Sequence, residues 1–304
     1  MQSTEFEKVT FTSHGTSIIG NLYGSDSGSP YPAVVLLGPM TFQKEQVPTE
    51  YARRLAKMGF VALVFDPRYR GESGGEPRCW ENPQAKVEDV HSAIDFLSTL
   101  PQVDPNHIFA LAICQGSSEM LPAAADNPRI RALATIAGHY RDHEGDIAWL
   151  TEDGYKAHLQ NGERATQKYQ ETGEVEYVPA VDKERSDVGM PGELVWSWYH
   201  LWADRGEWEN RYAVMSDANL LKYQSISAAH RMSKPWLMVH SDGCMLPPAA
   251  KRHFEASPST EKQMYWKGNI AHLRFYDDPA IVDPTAQEVA AFFREHSEEA
   301  VSRT

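Results

Sequence analysis

The sequence predicts an α/β fold, in which a mostly parallel sheet is flanked by helices and interrupted by a helical insertion. Short apolar runs alternate with stretches of helical periodicity up to Ala137, as βαβ units require. The same alternation resumes at Trp236, whereas the segment between holds no convincing buried strand and is rich in Trp and Tyr. We therefore predict a core of residues 1–139 and 232–304 and a helical lid insertion of residues 140–231.

The first strands are recognised by their turn residues and their apolar character. Val9–Phe11 and Ser17–Leu22 flank a His-Gly turn and are predicted to pair as a hairpin. Ala33–Leu37 and Val61–Phe65 are apolar throughout, which is typical of strands buried on both faces of a parallel sheet. These two runs are the first interior strands of the predicted sheet.

Helical segments separate the predicted strands. One begins at Pro48 and ends at Gly59, a common C-terminal cap, and an amphipathic one covers 82–100 before Pro101 stops it. The other predicted core elements are strands Ile108–Ile113, Ala132–Ala137, Trp236–His240 and Gln263–Trp266 and helices Gln115–Ala125, Pro247–Ala256 and Val289–Phe293.

Composition excludes several classes of function. The 304 residues include 42 acidic and 29 basic ones, and the formal charge of −13 would repel nucleic-acid phosphates and acidic lipids. The amino-terminal residues lack the pattern of a signal peptide, and the apolar runs are too short for a membrane span. The three cysteines are odd in number and lack CxxC spacing, which argues against a disulfide framework or a zinc site. We expect a cytoplasmic protein with neither nucleic-acid nor membrane partners.

The strongest catalytic signal is the stretch Ala112-Ile113-Cys114-Gln115-Gly116, where a buried strand turns into a helix. A nucleophile on such a strained turn needs small residues two positions before and after it. At a helix N-terminus the exposed amides and the dipole favour a thiolate, and the amide of Gln115 would face a developing oxyanion. The alternatives are a buried structural cysteine, or Ser117 or Ser118 as the nucleophile if the turn lies later.

Two further residues complete a candidate triad in the chain order nucleophile, acid, histidine. Asp242 directly follows the strand ending at His240 and is the candidate acid. His272 lies in a loop after the next strand and is the candidate general base. The simpler interpretations are that Asp242, next to a glycine, is only a turn residue and that His272 caps the following segment.

The loop after the first interior strand and the lid provide the remaining candidates. Met40 or a close neighbour would supply the second oxyanion amide. Glu45 is either a carboxylate near a helix N-terminus, the favoured interpretation, or a group that reaches the cysteine as an auxiliary. The lid would close an apolar substrate pocket, unless its tryptophans pack only on each other; the candidate pocket residues are Trp149, Trp196, Trp198 and Trp202.

These motifs resemble the α/β-hydrolase superfamily and, within it, dienelactone-hydrolase-related proteins with a cysteine nucleophile. The resemblance runs through most of the core, through Lys44-Glu45-Gln46, FDPRYRGESGGEPR after the second interior strand, the turn at Cys114, His240-Ser241-Asp242 and Phe275-Tyr276-Asp277. It implies an α/β-hydrolase fold with an eight-stranded sheet and a Cys-Asp-His triad without a cofactor or metal. The segment before Asp242 is short for an acid loop, which leaves Cys244 nearer the common acid position.

The residues and the resemblance together predict a cofactor-free hydrolase that cleaves an ester, lactone or thioester through an acyl-enzyme. His272, oriented by Asp242, would deprotonate Cys114 for attack on a carbonyl of a small acyl substrate. The alternatives are acyl transfer to an acceptor other than water by the same triad, and a hydrolase-like protein that binds a ligand without turning it over. The oligomeric state is open, and a homodimer is compatible with the sequence.

Overall fold

A computed structural model describes residues 5–24 and 30–302, with side chains through Ser297. The sheet and its flanking helices contain, in chain order, β1 (Phe6–Ser13), β2 (Thr16–Tyr23), β3 (Tyr31–Leu37), α1 (Val47–Lys57), β4 (Val61–Phe65), α2 (Pro83–Leu97), β5 (Val103–Ile113), α3 (Gly116–Asp126) and β6 (Ile130–Ile136). The segment between β6 and the next long strand contains α4 (His143–Leu150), α5 (Glu152–Thr172), β7 (Tyr177–Val178), β8 (Val181–Asp182), β9 (Met190–Pro191), α6 (Glu193–Asp204), β10 (Tyr212–Ala213), α7 (Ser216–Lys222) and α8 (Ile226–Ala229). The chain continues with β11 (Trp236–His240), α9 (Pro247–Ala256), β12 (Lys262–Trp266), α10 (Arg274–Asp277) and α11 (Pro279–Ser302).

The central sheet has eight strands in the order β1-β2-β4-β3-β5-β6-β11-β12. The pairs β1·β2 and β2·β4 are antiparallel, and the pairs from β4 to β12 are parallel. The carboxyl ends of the parallel strands therefore share one edge, where ligands bind in sheets of this kind. The predicted mostly parallel sheet is confirmed.

The parallel strands are apolar on both sides because each side of the sheet is covered by helices. In β3, Val34 and Leu36 belong to the core that includes residues of α1 and α11, whereas Val35 and Leu37 belong to the core beneath α2 and α3. All four side chains are fully buried. This two-sided burial explains why the strand has no alternation of polar and apolar residues.

Most predicted elements lie within a few residues of the observed ones. The largest differences are at β5, which starts at Val103 instead of Ile108, and at the last helix, which spans Pro279–Ser302. Asp104-Pro105-Asn106 at the start of β5 is polar and exposed, so its extended conformation left no apolar signal in the sequence. No helix in the described part of the chain combines the length and the apolar character needed to cross a membrane.

The helical segment between β6 and β11 contacts the carboxyl edge of the sheet. Trp208 donates through Nε1 to the carbonyl of Thr41 at 2.7 Å, and Tyr199 donates its hydroxyl to the carbonyl of Met40 at 3.1 Å. Both carbonyls lie in the loop between β3 and α1. The segment thus holds the loop that was predicted to supply an oxyanion amide.

Candidate active site

Cys114 lies at the sharp turn that joins β5 to α3. Its φ is 53°, in the left-handed region that non-glycine residues rarely adopt. The turn is held by backbone hydrogen bonds, from Cys114 N–H to the carbonyl of Ile136 at 3.1 Å and from His139 N–H to the carbonyl of Cys114 at 2.9 Å. A strained backbone fixed on both sides is typical of a residue presented for function.

The predicted demand for a small residue two positions after the cysteine follows from backbone crowding. A Cβ atom on Gly116 would lie 2.6 Å from the carbonyl oxygen of Gly38 and 2.8 Å from that of Leu37. Both obstacles are backbone atoms of the neighbouring strand end, so they cannot move aside as a flexible side chain would. Gly116 therefore allows α3 to start directly beside the loop after β3.

The backbone N–H groups of Gln115 and Met40 lie near the Cys114 sulfur. Both lower the pKa of the thiol and so oppose the effect of its burial. The side chain of Gln115 is itself fixed, since its Oε1 accepts from Arg141 Nε at 3.0 Å and its Nε2 donates to Glu119 at 2.9 Å. The structure thus brings together the two amides that the sequence suggested for an oxyanion hole.

The thiol of Cys114 is protonated in this environment, contrary to the expected thiolate. Burial raises the pKa of Cys114, and hydrogen bonds from Tyr276 and from the two amides offset this only in part. The side chain is 8% exposed. The desolvation of the buried thiol therefore affects the pKa of Cys114 more than the helix N-terminus does, although the helix had been expected to favour the thiolate.

The alternative nucleophiles, Ser117 and Ser118, lie in the first turn of α3 and are fully buried. Ser118 donates its hydroxyl to the carbonyl of His139 at 2.8 Å. Neither serine lines the cavity into which Cys114 opens. The structure therefore places the cysteine, and not the serines, at the candidate site.

His272 reaches Cys114 only through the hydroxyl of Tyr276. His272 Nε2 and Tyr276 Oη are 3.2 Å apart, and the same hydroxyl lies beside the Cys114 thiol and lowers its pKa. The other ring nitrogen, Nδ1, accepts from Met245 N–H at 3.3 Å. A neutral imidazole whose Nδ1 accepts carries its proton on Nε2. Burial, aided by the nearby His240, lowers the pKa of His272 to about 3.

Asp242 does not orient His272 in this structure, which corrects the expected triad. The Asp242 carboxylate is exposed, and it forms no hydrogen bond or ion pair within 5–24 and 30–302. Its backbone N–H donates to the carbonyl of Gly268 at 2.8 Å, and the carbonyl of Gly243 accepts from His272 N–H at 3.0 Å. The Asp-Gly pair thus shapes a turn that packs its backbone against the histidine loop, as the simpler interpretation holds.

Cys244, which lies nearer the usual acid position, does not replace the carboxylate. It is buried, its sulfur lies 3.2 Å from Ser241 Oγ, and burial raises its pKa to about 11. An uncharged thiol cannot stabilise an imidazolium as a carboxylate does. The residues that would orient His272 are therefore backbone groups, with Met245 N–H at Nδ1.

Glu45 is not brought to the thiol. Its carboxylate is partly exposed and pairs with Lys44 Nζ at 2.7 Å. That lysine is buried and also binds Asp66 and Glu72, at 3.0 and 2.6 Å. Glu45 belongs to this ion cluster beside the loop after β3, which agrees with the structural interpretation favoured from the sequence.

Cys114 opens into a cavity of about 130 Å³ under the helical segment. Its walls are mostly apolar, with Met40, Trp149, Met190, Pro191, Leu194, Val195, Met245 and Leu273 beside the polar Cys114, His139, Tyr199, His272 and Tyr276. Of the four tryptophans predicted to line the pocket, Trp149 alone does so. A pocket of this size and character suits the acyl part of a small substrate.

The other three predicted pocket tryptophans pack on neighbouring side chains instead. Trp196 stacks on His200 with ring centroids 3.8 Å apart, and Trp202 packs on Trp198 at 5.6 Å. Trp198 donates to Asp277 at 2.7 Å and packs edge-on against Tyr276 at 5.1 Å. Trp198 therefore supports the tyrosine beside the thiol without lining the cavity.

His139 lines the same cavity and was not singled out from the sequence. It comes three residues after β6 ends, at the sheet edge where ligand-binding side chains are expected. Its position just after a buried strand is the signal that the sequence offers, and no motif accompanies it. Tyr276 carries no motif of its own and enters only through the resemblance at Phe275-Tyr276-Asp277.

Comparisons with known proteins agree with the fold and the general chemistry. The uncharacterized protein YcjY of Escherichia coli (strain K12) is 29% identical over 284 residues, which are 89% of this chain and 90% of that protein. The thiohydrolase apmlB of Arthrinium phaeospermum is 35% identical over 43% of this chain and 42% of its own length. The polyketide transferase claH of Penicillium crustosum is 33% identical over 43% of this chain and 44% of its own. No protein-family model matches the chain.

Among solved structures, the alpha/beta hydrolase GrgF from Penicillium sp. sh18 superposes with a TM-score of 0.82 at 21% identity, over 96% of this chain and 99% of that one. A likeness at this identity establishes the fold. The chain spans less than half the length of the curated relatives that are named thiohydrolases or polyketide transferases. Its eight-stranded sheet and this superposition show that the chain has the α/β-hydrolase fold.

Proposed function

We propose that this protein cleaves acyl thioesters, and comparably activated esters or lactones, with Cys114 as the nucleophile. The observation that carries the proposal is a thiol on a strained turn with the backbone amides of Gln115 and Met40 beside it. Donors fixed in this way stabilise the oxyanion that forms when a carbonyl is attacked. The thiohydrolase relative apmlB agrees with a thioester as the substrate.

In the proposed reaction, the sulfur of Cys114 bonds to the acyl carbon, and the carbonyl oxygen takes up the negative charge between the two amides. As the bond forms, the thiol proton passes to Tyr276 Oη, and the hydroxyl proton of Tyr276 passes to His272 Nε2. The bond between the acyl carbon and the leaving thiol then breaks, and the leaving sulfur takes the proton from His272. Water finally cleaves the acyl-cysteine and regenerates the thiol.

This proton path requires a change at His272, because Nε2 must carry a lone pair to accept a proton. The structure instead has Nδ1 accepting from Met245 N–H, which places the proton on Nε2. Moving the proton to Nδ1 breaks this hydrogen bond of 3.3 Å and leaves two N–H donors facing each other, which costs about 1–3 kcal/mol for each buried donor left unpaired. The reactive form is thus a minor one, and this favours substrates with good leaving groups over ordinary esters.

The first test is intact-mass spectrometry after brief incubation with p-nitrophenyl acetate and with S-ethyl thioacetate. We expect one acetyl group on the wild-type chain and none on Cys114→Ala. Cys79→Ala is the matched control, since it removes another buried thiol outside the cavity and keeps Cys114. Acetylation that persists in Cys114→Ala, or that disappears in Cys79→Ala, contradicts Cys114 as the nucleophile.

Acyl transfer to an acceptor other than water is the second candidate function. It is favoured by the apolar cavity, in which Cys114 is 8% exposed and water has few polar partners. The relative claH, named a polyketide transferase, agrees with it. Incubation of the acetylated enzyme with an amino alcohol or with water alone, and of the acetylated, denatured chain as a control for non-enzymatic transfer, distinguishes the two. Faster loss of the acetyl group with formation of an acylated acceptor supports transfer, and loss at an unchanged rate supports hydrolysis.

A further inference from the structure

His139 is a buried polar side chain that the protein leaves without a hydrogen bond at one nitrogen. The residue is 4% exposed, and its Nε2 has no partner among the residues that the structure describes. Trp149 packs edge-on against the ring, with centroids 5.5 Å apart. Burial, together with the positive charge of Arg141, lowers the pKa of His139 well below its usual value, so the ring is neutral at pH 7. A neutral imidazole offers one donor and one acceptor.

The other polar groups around the cavity are satisfied. Tyr199 donates its hydroxyl to the carbonyl of Met40 at 3.1 Å, Tyr276 Oη bonds His272 Nε2, and His272 Nδ1 accepts from Met245 N–H. The Cys114 thiol has its two backbone amides. A buried polar atom without a partner is costly, so native proteins rarely leave one in place without a ligand or a function to account for it. Among the cavity-lining residues that the structure describes, His139 is therefore the polar side chain whose ring nitrogen still lacks a partner.

We propose that His139 binds an oxygen substituent on the acyl chain of the substrate and so selects hydroxy- or oxo-acyl groups over plain ones. The inference rests on the proposed function, since it takes Cys114 as the site of acylation. A hydroxyl or ketone oxygen can pair with an imidazole nitrogen, whereas a plain alkyl chain leaves that nitrogen desolvated and unpaired. Sites with buried polar groups reject ligands that lack the matching group for this reason.

The acyl chain, and not the leaving group, is the part that reaches His139. The backbone N–H of His139 bonds the carbonyl of Cys114 at 2.9 Å, so the residue lies directly against the nucleophile. Leu194, also in the cavity wall, is 55% exposed, so the cavity meets solvent beside this residue. A leaving group must depart through the open side, while the acyl group remains on Cys114 beside the buried His139. The oxygen substituent is therefore expected within the first few carbons of the chain.

The experiment compares N-acetylcysteamine thioesters of butanoate, 3-hydroxybutanoate and 3-oxobutanoate. The readout is the ratio of kcat/KM for each oxygenated substrate to that for butanoate, which a general loss of folding or activity does not move. We expect a ratio of about 10 to 100 in the wild type, which one hydrogen bond to a buried group provides. In His139→Phe, which keeps a ring against Trp149, we expect the ratio to fall to about 1. His139→Asn, which keeps a donor and an acceptor, should restore part of the preference.

A binding measurement separates this inference from the proposed function. Calorimetric titration of the wild type and of His139→Phe with butanamide and 3-hydroxybutanamide needs no catalysis, and the ratio of their Kd values should follow the same pattern. If Cys114 is never acylated but the binding preference depends on His139, the proposed function fails and the oxygen-binding role stands. Equal binding and equal kcat/KM for plain and oxygenated compounds in the wild type would overturn the role of His139. So would a preference that survives in His139→Phe.

Discussion

The two halves of the candidate site differ in how completely the fold has built them. On the nucleophile side, the turn at Cys114 is held by backbone hydrogen bonds, and two amides already lie beside the sulfur. On the base side, His272 faces an N–H donor at Nδ1, has no carboxylate beside it and meets the thiol only through Tyr276. The stabilisation of the oxyanion is thus preorganised, while proton transfer depends on a minor form of the histidine.

This difference indicates which part of the reaction the protein accelerates most. Preorganised amides lower the energy of the oxyanion for any acyl group, whereas a weak base helps little when the leaving group is poor. Thioesters and lactones need less help with the leaving group than ordinary esters. The comparison therefore predicts large effects for changes near Cys114 and small ones for changes around Asp242.

The largest effect is expected for Cys114→Ala, which removes the nucleophile. The kcat for a thioester probe should fall by at least about 1,000-fold, because the remaining oxyanion amides have no covalent partner to act with. Stopped assays with S-ethyl thioacetate, combined with the melting temperature, will distinguish loss of chemistry from loss of folding. Retention of more than a tenth of the wild-type kcat would mean that Cys114 is not the nucleophile.

The second-largest effect is expected for Gly116→Val, which tests the contribution of the backbone amides. The new Cβ would lie 2.6 Å from the carbonyl oxygen of Gly38, so α3 and the Gln115 amide must shift. We expect a loss of about 1–3 kcal/mol in the free energy of unfolding and a decrease of about 100-fold in kcat/KM. Gly154→Ala in α5 is the control, since its Cβ would meet only side-chain atoms, Thr151 Oγ1 at 3.3 Å and Leu150 Cβ at 3.6 Å. An active, stable Gly116→Val would contradict the crowding argument.

A smaller effect is expected on the base side for Tyr276→Phe. The substitution removes the hydroxyl that connects the thiol to His272 Nε2, so kcat/KM should fall by about 10-fold to 100-fold. The rate of alkylation of Cys114 by iodoacetamide should also fall, because a hydrogen bond that favours the thiolate is lost. Tyr140→Phe, which removes another buried hydroxyl away from the cavity, controls for packing. An increase in kcat/KM would show that Tyr276 blocks the path instead of completing it.

Asp242→Asn should have almost no effect. The carboxylate is exposed and touches neither ring nitrogen of His272, so kcat/KM should change by less than about threefold, as at ordinary surface positions. Steady-state kinetics with the same thioester suffice for this measurement. A decrease of 100-fold or more would restore the Cys-His-Asp triad and would require Asp242 to reach His272 during turnover.

The smallest change is expected between pH 7 and pH 5. A general base must be neutral, and burial lowers the pKa of His272 to about 3, so the base stays neutral until the pH falls below about 4. The kcat/KM should therefore change by less than about twofold over this range, whereas a base with an ordinary histidine pKa would lose roughly 20-fold or more. A pH–rate profile with an acid limb near 6.5 would mean that His272 is solvated or paired with a carboxylate in the working enzyme.

The core strands were predictable because the two signals that mark them, an apolar run and the turn residues that bound it, are local in the sequence. Apolar runs such as Val61–Phe65 and Trp236–His240 match the observed strands at both ends. The start of β5 was not predictable, since Pro105 and Asn106 are exposed and carry no apolar strand signal. The positions of the lid tryptophans were also not predictable, because a tryptophan serves equally well as a pocket wall or as packing, and only contacts decide between them.

At the site, the turn at Cys114 was predictable because its requirement is steric and appears as small residues at fixed spacing. The role given to Asp242 came from chain order, which places a residue in a loop but does not fix where its side chain points. The expected thiolate was wrong because the expectation rested on the helix N-terminus alone, whereas burial raises the pKa of Cys114. His139 could not be found from a motif, since its distinguishing property is an unpaired nitrogen that exists only in the folded cavity.

The protonated, enclosed thiol of Cys114 also affects how long the enzyme survives in a cell. Peroxides attack thiolates, and their rate follows the fraction of anion and its access to solvent. A resting cysteine that stays neutral and covered is therefore spared from conversion to sulfenic acid between turnovers. The same burial that opposes proton removal from the thiol also protects the sulfur from oxidative inactivation.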